Sequence, residues 1–518
     1  MASEVSANHL DNKTKIGYAA GHIFNDIAAS LRTSYSLIFY QNVLKIDKDN
    51  VGMIYLFGQL ADGFTSPLVG YMSDIDMDVW MCNTYGRRKT WHLVGVLFVL
   101  IGWPALFLPP VGVDLFDNIT AITAYYSLVN IIYNLGFAIV QNAHLAMIPE
   151  LSLSDDVRIS LSLVRNSMTS LANILGYVGA LIAFTYGPIN GQEAINSFKN
   201  LMLIGLGFGL TSSIVFHVFT KENRKKPVVV NDDQDCSCSM PTIHEERLTS
   251  FFGHVSLPIF IPSALRTNDE EKMRPKDWFQ NSQYYLIGLI YLSSRLIFRV
   301  SLTYIVYYIE FSLNLEKKFI AIVPVVMFTS GLVIAPIVEL AKKRIGMNVI
   351  FIISCILGLV ACLEIWIGCQ NDAICQYEIN VIAILLGASI STHQTYSLSM
   401  IACLVGPNIE SSGFVYGSMS FVEKIAVGAA IMLIQKYMPD LSFQNNAFIL
   451  YFKWVLAFGC GGMILLSLFL FAILMHKRIG KRRDSGQMNE RYSLLPVNVS
   501  KYNQILKIIK CLRKCHEI

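Results

Sequence analysis

The stretch GQLADGFTSPLVGYMSD, Gly58–Asp74, followed after a polar gap by YGRRKTW, Tyr85–Trp91, decides how the chain is read. Asp62 is a lone carboxylate inside an apolar run of helix length. A carboxylate at membrane depth costs roughly 2.5–3.5 kcal/mol on insertion scales, so such a residue is read as functional by default. The stretch ends by setting Asp74 against Arg87, Arg88 and Lys89, and a basic loop directly after an apolar span marks the cytoplasmic side. Positive-inside topology accounts for the arginines alone. A cytoplasmic latch between helix ends accounts for Asp74 as well.

Working outward, the chain has 518 residues, 53% hydrophobic and 15% charged, which is too apolar for a soluble protein of this length. Its apolar blocks of roughly twenty residues are long enough to cross a bilayer as helices. They predict an all-α membrane protein with twelve spans, near 16–44, 50–74, 90–111, 119–148, 160–187, 198–219, 281–309, 317–341, 347–368, 376–403, 410–436 and 447–475. The expected organisation is a cytoplasmic N-terminus (1–15), a six-helix bundle (16–219), a linker (220–280), a second six-helix bundle (281–475) and a cytoplasmic tail (476–518). Lys13 and Lys15, Arg87–Lys89, Lys221 with Arg224–Lys226, Lys342–Arg344 and Lys477–Arg483 all fall on one side of this layout, which places both termini and the linker in the cytosol. The net charge of +4 is small and sits at helix ends and in the tail, a pattern of topology and not of nucleic-acid binding. The polar start MASEVSANHLDNKTK has no signal-peptide pattern.

The two halves echo each other. Span two runs into YGRRK and span eight into KKRIG, and RNSMTSLANILGYVGALI in span five resembles YGSMSFVEKIAVGAAIML in span eleven. Six-span repeats of this kind place a substrate site between the halves near the midplane, with rocking as the motion. No GxxxxGK[ST] loop supports ATP-driven pumping, and no Cys or His spacing suits a metal. No enzyme activity, cofactor, metal or catalytic residue is expected.

Polar side chains inside the spans are the candidates for the site. Span one holds His22, Asn25 and Asp26, with Arg32 further along; His22 and Asp26 are four apart and share a face. They suit a small-molecule substrate and, at His22 or Asp26, proton exchange; helix packing through hydrogen bonds is the competing role. Span four carries Gln141, Asn142 and His144, with Gln141 deep enough to face a cavity. Arg165 in span five offers a fork for a carboxylate, or an internal ion pair. In the second half, span seven carries Arg295 and Arg299, span ten His393 and Gln394, and span eleven Glu423 beside Lys424. Adjacent helical residues do not face each other, so Lys424 turns toward Asp26 or Asp62 and Glu423 is left for Arg295 or Arg299. Such pairs are either alternating gates or static struts.

Outside the spans, Glu490-Arg491-Tyr492-Ser493-Leu494-Leu495 fits the acidic dileucine signal read by clathrin adaptors, with Glu490, Leu494 and Leu495 as its anchors. The segment Tyr502–Lys514 is basic and amphipathic and suits the lipid surface, with Cys511 and Cys515 open to palmitoylation. Asn118 begins a far-side glycosylation sequon. Cys369 and Cys375 share a far-side loop, as a disulfide or as two thiols.

GHIFNDIAAS, GQLADGFTSPLVGY, YGRRKTWHLVG, KKFIA and SGFVYGSMSF together resemble the glycoside-pentoside-hexuronide cation symporters of the major facilitator superfamily, and within them a branch that moves cysteine from the cytosol into lysosomes and melanosomes. The resemblance covers the membrane region and leaves out the linker and tail. It implies that Asp26 and Arg165 bind substrate, that Asp62 belongs to the cation site, and that Lys424 lies near it. Two positions depart from the pattern: Ser66 replaces the second span-two carboxylate, and Gln141 replaces the span-four Asp. A sodium site collects several oxygen ligands, so these losses favour proton coupling or uncoupled exchange over Na⁺. The expected function is a secondary transporter importing cysteine, or a similar small amino acid, into lysosome-related organelles. A cation- or proton-coupled sugar symporter at the plasma membrane is the alternative, with Tyr35 and Trp454 as aromatic candidates. A non-transporting scaffold or receptor would leave Asp62, Arg165 and Lys424 without a purpose.

Overall fold

The computed structural model describes residues 11–74, 80–110, 118–151, 155–222, 275–368, 372–405, 412–439 and 446–475, and the regular structure in them is helical. Backbone polar groups in lipid must be satisfied within the segment, and helices achieve this. Span one comprises Asn12–Ala20 and Ile23–Ile38, closed by a π-helical turn at Phe39–Val43. Spans two to six are Lys48–Asp74, Arg87–Leu106, Ile119–Ala146, Asp155–Thr185 and Ala194–Phe219. Span seven is Ser282–Tyr307 with a π-helical turn at Tyr308–Ser312. Spans eight to eleven are Phe319–Ile345, Met347–Ile367, Asp372–Val405 and Ser412–Lys436; span twelve runs from Asn446 to Met475 through a π-helical stretch, Val455–Cys460. Nine helices among the described residues are long and apolar enough to cross a membrane. Spans one, two and ten fall outside that set.

The repeat is written in the backbone. Spans one and seven both close with a π-helical turn, with Leu44 N–H donating to the Phe39 carbonyl and Leu313 N–H to that of Tyr308. A non-glycine residue of positive φ follows each, Lys45 at 57° and Asn314 at 47°. Spans three and nine both start after a glycine of positive φ, Gly86 at 111° and Gly346 at 82°. The halves then meet symmetrically: span two packs on span eleven, span eight on span five, and span one on span seven.

Hydrogen bonds between the halves gather at the end opposite the basic loops. Gln41 donates to Gln435 Oε1 and accepts from the Tyr307 hydroxyl at 2.6 Å. Lys48 Nζ donates to the Met438 carbonyl, Tyr35 to that of Ile320, and Asn190 to Glu310 Oε1. This arrangement seals the far side. Trp454 is 49% exposed and lies against Trp366 and Phe458 on the outer face, so it does not line the interior, and the Tyr35 hydroxyl is occupied by its carbonyl. Trp454 lapses as a sugar-binding candidate. Cys375 is a buried free thiol; Cys369, the tail residues Glu490, Leu494 and Leu495, and Cys511 and Cys515 lie outside the described residues.

Candidate functional site

Span one breaks at Gly21-His22, and the break builds the cytoplasmic end of the site. Gly21 lies so close to its neighbours that a Cβ there would come within 2.4 Å of the Phe216 ring and 2.8 Å of His144. Carbonyls near the break find side-chain donors: His92 Nε2 donates to Gly21 O at 2.9 Å, and His144 Nε2 to Tyr18 O at 2.8 Å. Local disruption of a helix ladder is tolerated when such partners exist. His144, named from sequence as a span-four polar residue, is therefore a structural prop stacked on Tyr18.

Just past the break, Arg165 Nη2 lies 3.1 Å from His22 Nε2. A guanidinium only donates, so Nε2 accepts, and His22 is the neutral tautomer with its proton on Nδ1. That nitrogen sits 2.8 Å from Asp26 Oδ2, out of line for a hydrogen bond. One imidazole thus separates a carboxylate from a guanidinium. Arg165 Nε and Asp26 Oδ2 are both buried without a hydrogen-bond partner. Asn25 donates to the Phe137 carbonyl at 3.3 Å. Gln141 stands one turn beyond Phe137 and is half-buried.

The second cluster spans the two halves. Lys424 Nζ lies 2.6 Å from Asp62 Oδ2, with side-chain exposures of 9% and 3%. Ser66, where the resembled family has a carboxylate, donates to Asp62 Oδ1 at 3.3 Å, and Asn142 donates to the Ser66 carbonyl. Lys424 also lies 5.4 Å from the centre of the Phe137 ring, whose backbone holds Asn25, so the two clusters meet at Phe137. Glu423 accepts from the Tyr291 hydroxyl and faces Arg295 Nε at 3.7 Å. Arg299 crosses to the first half and donates to Thr33 Oγ1 at 3.2 Å. His393 sits apart, buried among Ser354, Ser389 and Ser467.

At the cytoplasmic surface, the side chain of Asp74 lies outside the described residues. The carboxylate found on the Arg87–Lys89 run is Glu222: its oxygens accept the backbone N–H of Arg88 at 3.0 Å and of Lys89 at 3.3 Å, capping span three where its dipole is positive. Sequence reading missed Glu222 because it belongs, in the chain, to a charged stretch that looks like linker. Asn118 is exposed and caps span four through the Ala121 N–H at 3.1 Å. No group of three or more His, Cys, Asp or Glu among the described residues is placed to hold a metal ion.

A family model described as "MFS/sugar transport protein" matches residues 17–237 and 273–477. Two relatives described as "Major facilitator superfamily domain-containing protein 12" are each 32% identical: the horse (Equus caballus) protein over 88% of this chain and 91% of its own length, and the human (Homo sapiens) protein over 88% and 92%. Among solved structures, the nucleoside transporter NupG superposes with a TM-score of 0.56 at 12% identity, over 90% of this chain and all of that one. The last likeness concerns fold alone.

Proposed function

The chain belongs to the family of MFS/sugar transport proteins, and on that premise we propose that it carries cysteine, or a similar small amino acid, from the cytosol into lysosome-related organelles. It is a multi-pass membrane transporter and not an enzyme. The observation that carries the proposed cargo is the placement of Asp26 and Arg165 on opposite sides of His22, at 2.8 and 3.1 Å. A zwitterion needs opposite charges at short range in a dry place, and the head group of an amino acid is about the size of the imidazole that now separates them. Its ammonium group would take over Asp26 and its carboxylate Arg165, while His22 swings clear. The resemblance to the cysteine-carrying branch supports the same cargo.

Asp62 and Lys424 serve as the switchable pair. The described partners of Asp62 are an ammonium group and one hydroxyl, a poor oxygen shell for Na⁺ and a good one for a carboxylate that trades Lys424 for a proton. The acidic dileucine at Glu490, Leu494 and Leu495 supports delivery to the organelle through clathrin adaptors. Labelled-cysteine uptake into purified lysosome-related organelles, competed by excess unlabelled cysteine or by hexoses, tests cargo and compartment together. Saturable uptake competed by cysteine and not by hexoses is expected; uptake of labelled hexose with no saturable uptake of cysteine would transfer the site to the sugar-carrying reading.

A further inference from the structure

Arg32 lies buried in span one beyond Asp26, and no acid among the described residues forms an ion pair with it. It is 4% exposed, its guanidinium lying 5.1 Å from the ring centre of Tyr55 in span two and 5.4 Å from that of Tyr133 in span four. The aromatic faces hold the guanidinium by cation–π attraction, which leaves its edges for hydrogen bonding. Yet Nε and Nη1 are buried without a hydrogen-bond partner, as are the hydroxyls of Tyr55 and Tyr133.

The neighbouring carboxylates are spoken for. Asp62 faces Lys424, Glu423 faces Arg295 and Tyr291, and Asp26 faces His22. Arg299, arriving from the other half, donates to Thr33 Oγ1. Buried charges are paired or the fold bears several kcal/mol for each. A structural arginine would have an acid within reach; this one has tyrosines.

We propose that Arg32, with the hydroxyls of Tyr55 and Tyr133, forms a second subsite that takes the carboxylate or sulfonate group of a small organic anion. Arg32 comes six positions after Asp26, about 9 Å of helix rise, too far for one amino-acid head group to reach both. The subsite therefore admits a longer or net-anionic cargo, and it stands whether or not cysteine occupies the upper pair.

The test is binding to the purified full-length protein in nanodiscs, by calorimetry and thermal shift, with succinate, ethanesulfonate, glucose and L-cysteine as probes. Succinate or ethanesulfonate should bind the wild type and glucose should leave the anion affinity unchanged. Arg32→Gln should weaken the anion at least about tenfold, as expected for loss of charge-assisted hydrogen bonds, with cysteine affinity held within about twofold. Arg32→Lys should recover part of the anion affinity. Tyr55→Phe keeps the ring and removes the hydroxyl, so it reports on the subsite even if Arg32→Gln misfolds; a several-fold loss is expected. Anion affinity unchanged in Arg32→Gln, or, should that variant misfold, unchanged in Tyr55→Phe, overturns the proposal, as does a wild type that binds neither anion. Loss of cysteine binding with the anion site intact would sink only the cargo reading above.

Discussion

Replacing Lys424 with Met leaves Asp62 as a buried carboxylate with one hydroxyl for company. Breaking a buried pair from one side costs about 3–5 kcal/mol, whereas removing both charges is often neutral. Lys424→Met should therefore lower the unfolding midpoint in detergent sharply, and Asp62→Asn added to it should restore most of the loss. Uptake should stay low in both, since neither keeps the switchable pair. Equal midpoints for the single variant and the wild type would show that the 2.6 Å contact carries no such energy. At this scale much was legible from sequence: Asp26, Asp62, Arg165, Glu423 and Lys424 announce themselves as ionisable groups within apolar runs. Which of them meet was not, because partner choice depends on helix rotation. Arg32 could be named but not ranked, since its significance lies in lacking an acid, a property of space and not of spacing. Trp454 illustrates the opposite failure, an aromatic residue whose helix face turns it outward.

Helix ends show where local chemistry, beyond hydropathy, sets the boundary. Span three starts at Gly86, whose φ of 111° lies in a region open almost only to glycine, and a Cβ there would come within 2.4 Å of Glu222 Oε2. Gly86→Ala should cost about 1–3 kcal/mol through backbone strain and should also displace the Glu222 cap. Thermal unfolding of the purified variant checks this, and a midpoint unmoved from wild type would contradict it. Span positions were readable to within a few residues from apolar runs, and the observed helices overrun them wherever polar residues extend a turn past the bilayer, as at Ala194 and Asp372. The break at Gly21-His22 was invisible in hydropathy: it rests on donors from His92 and His144, which come from other helices.

Across the whole molecule, most of the described side-chain hydrogen bonds between the two halves lie at the far end. Gln41 is 2% exposed and holds both Tyr307 and Gln435. At about 1 kcal/mol net per bond, Gln41→Ala removes roughly 2 kcal/mol from the closed far side, enough to shift a two-state population about thirtyfold. Spin labels at Tyr186 and Tyr437, both exposed on that end of opposite halves, should then report a longer distance component absent from wild type. An identical distribution would mean that the seal is held elsewhere.

The account rests on opposite charges inside the first half receiving a zwitterion, and the most direct measurement is radiolabelled-cysteine uptake by proteoliposomes containing wild type, Asp26→Asn or Arg165→Ala. Saturable uptake is expected in the wild type, with a loss of at least about tenfold in each variant, the scale of one charge-assisted contact. Undiminished uptake by Arg165→Ala would contradict it.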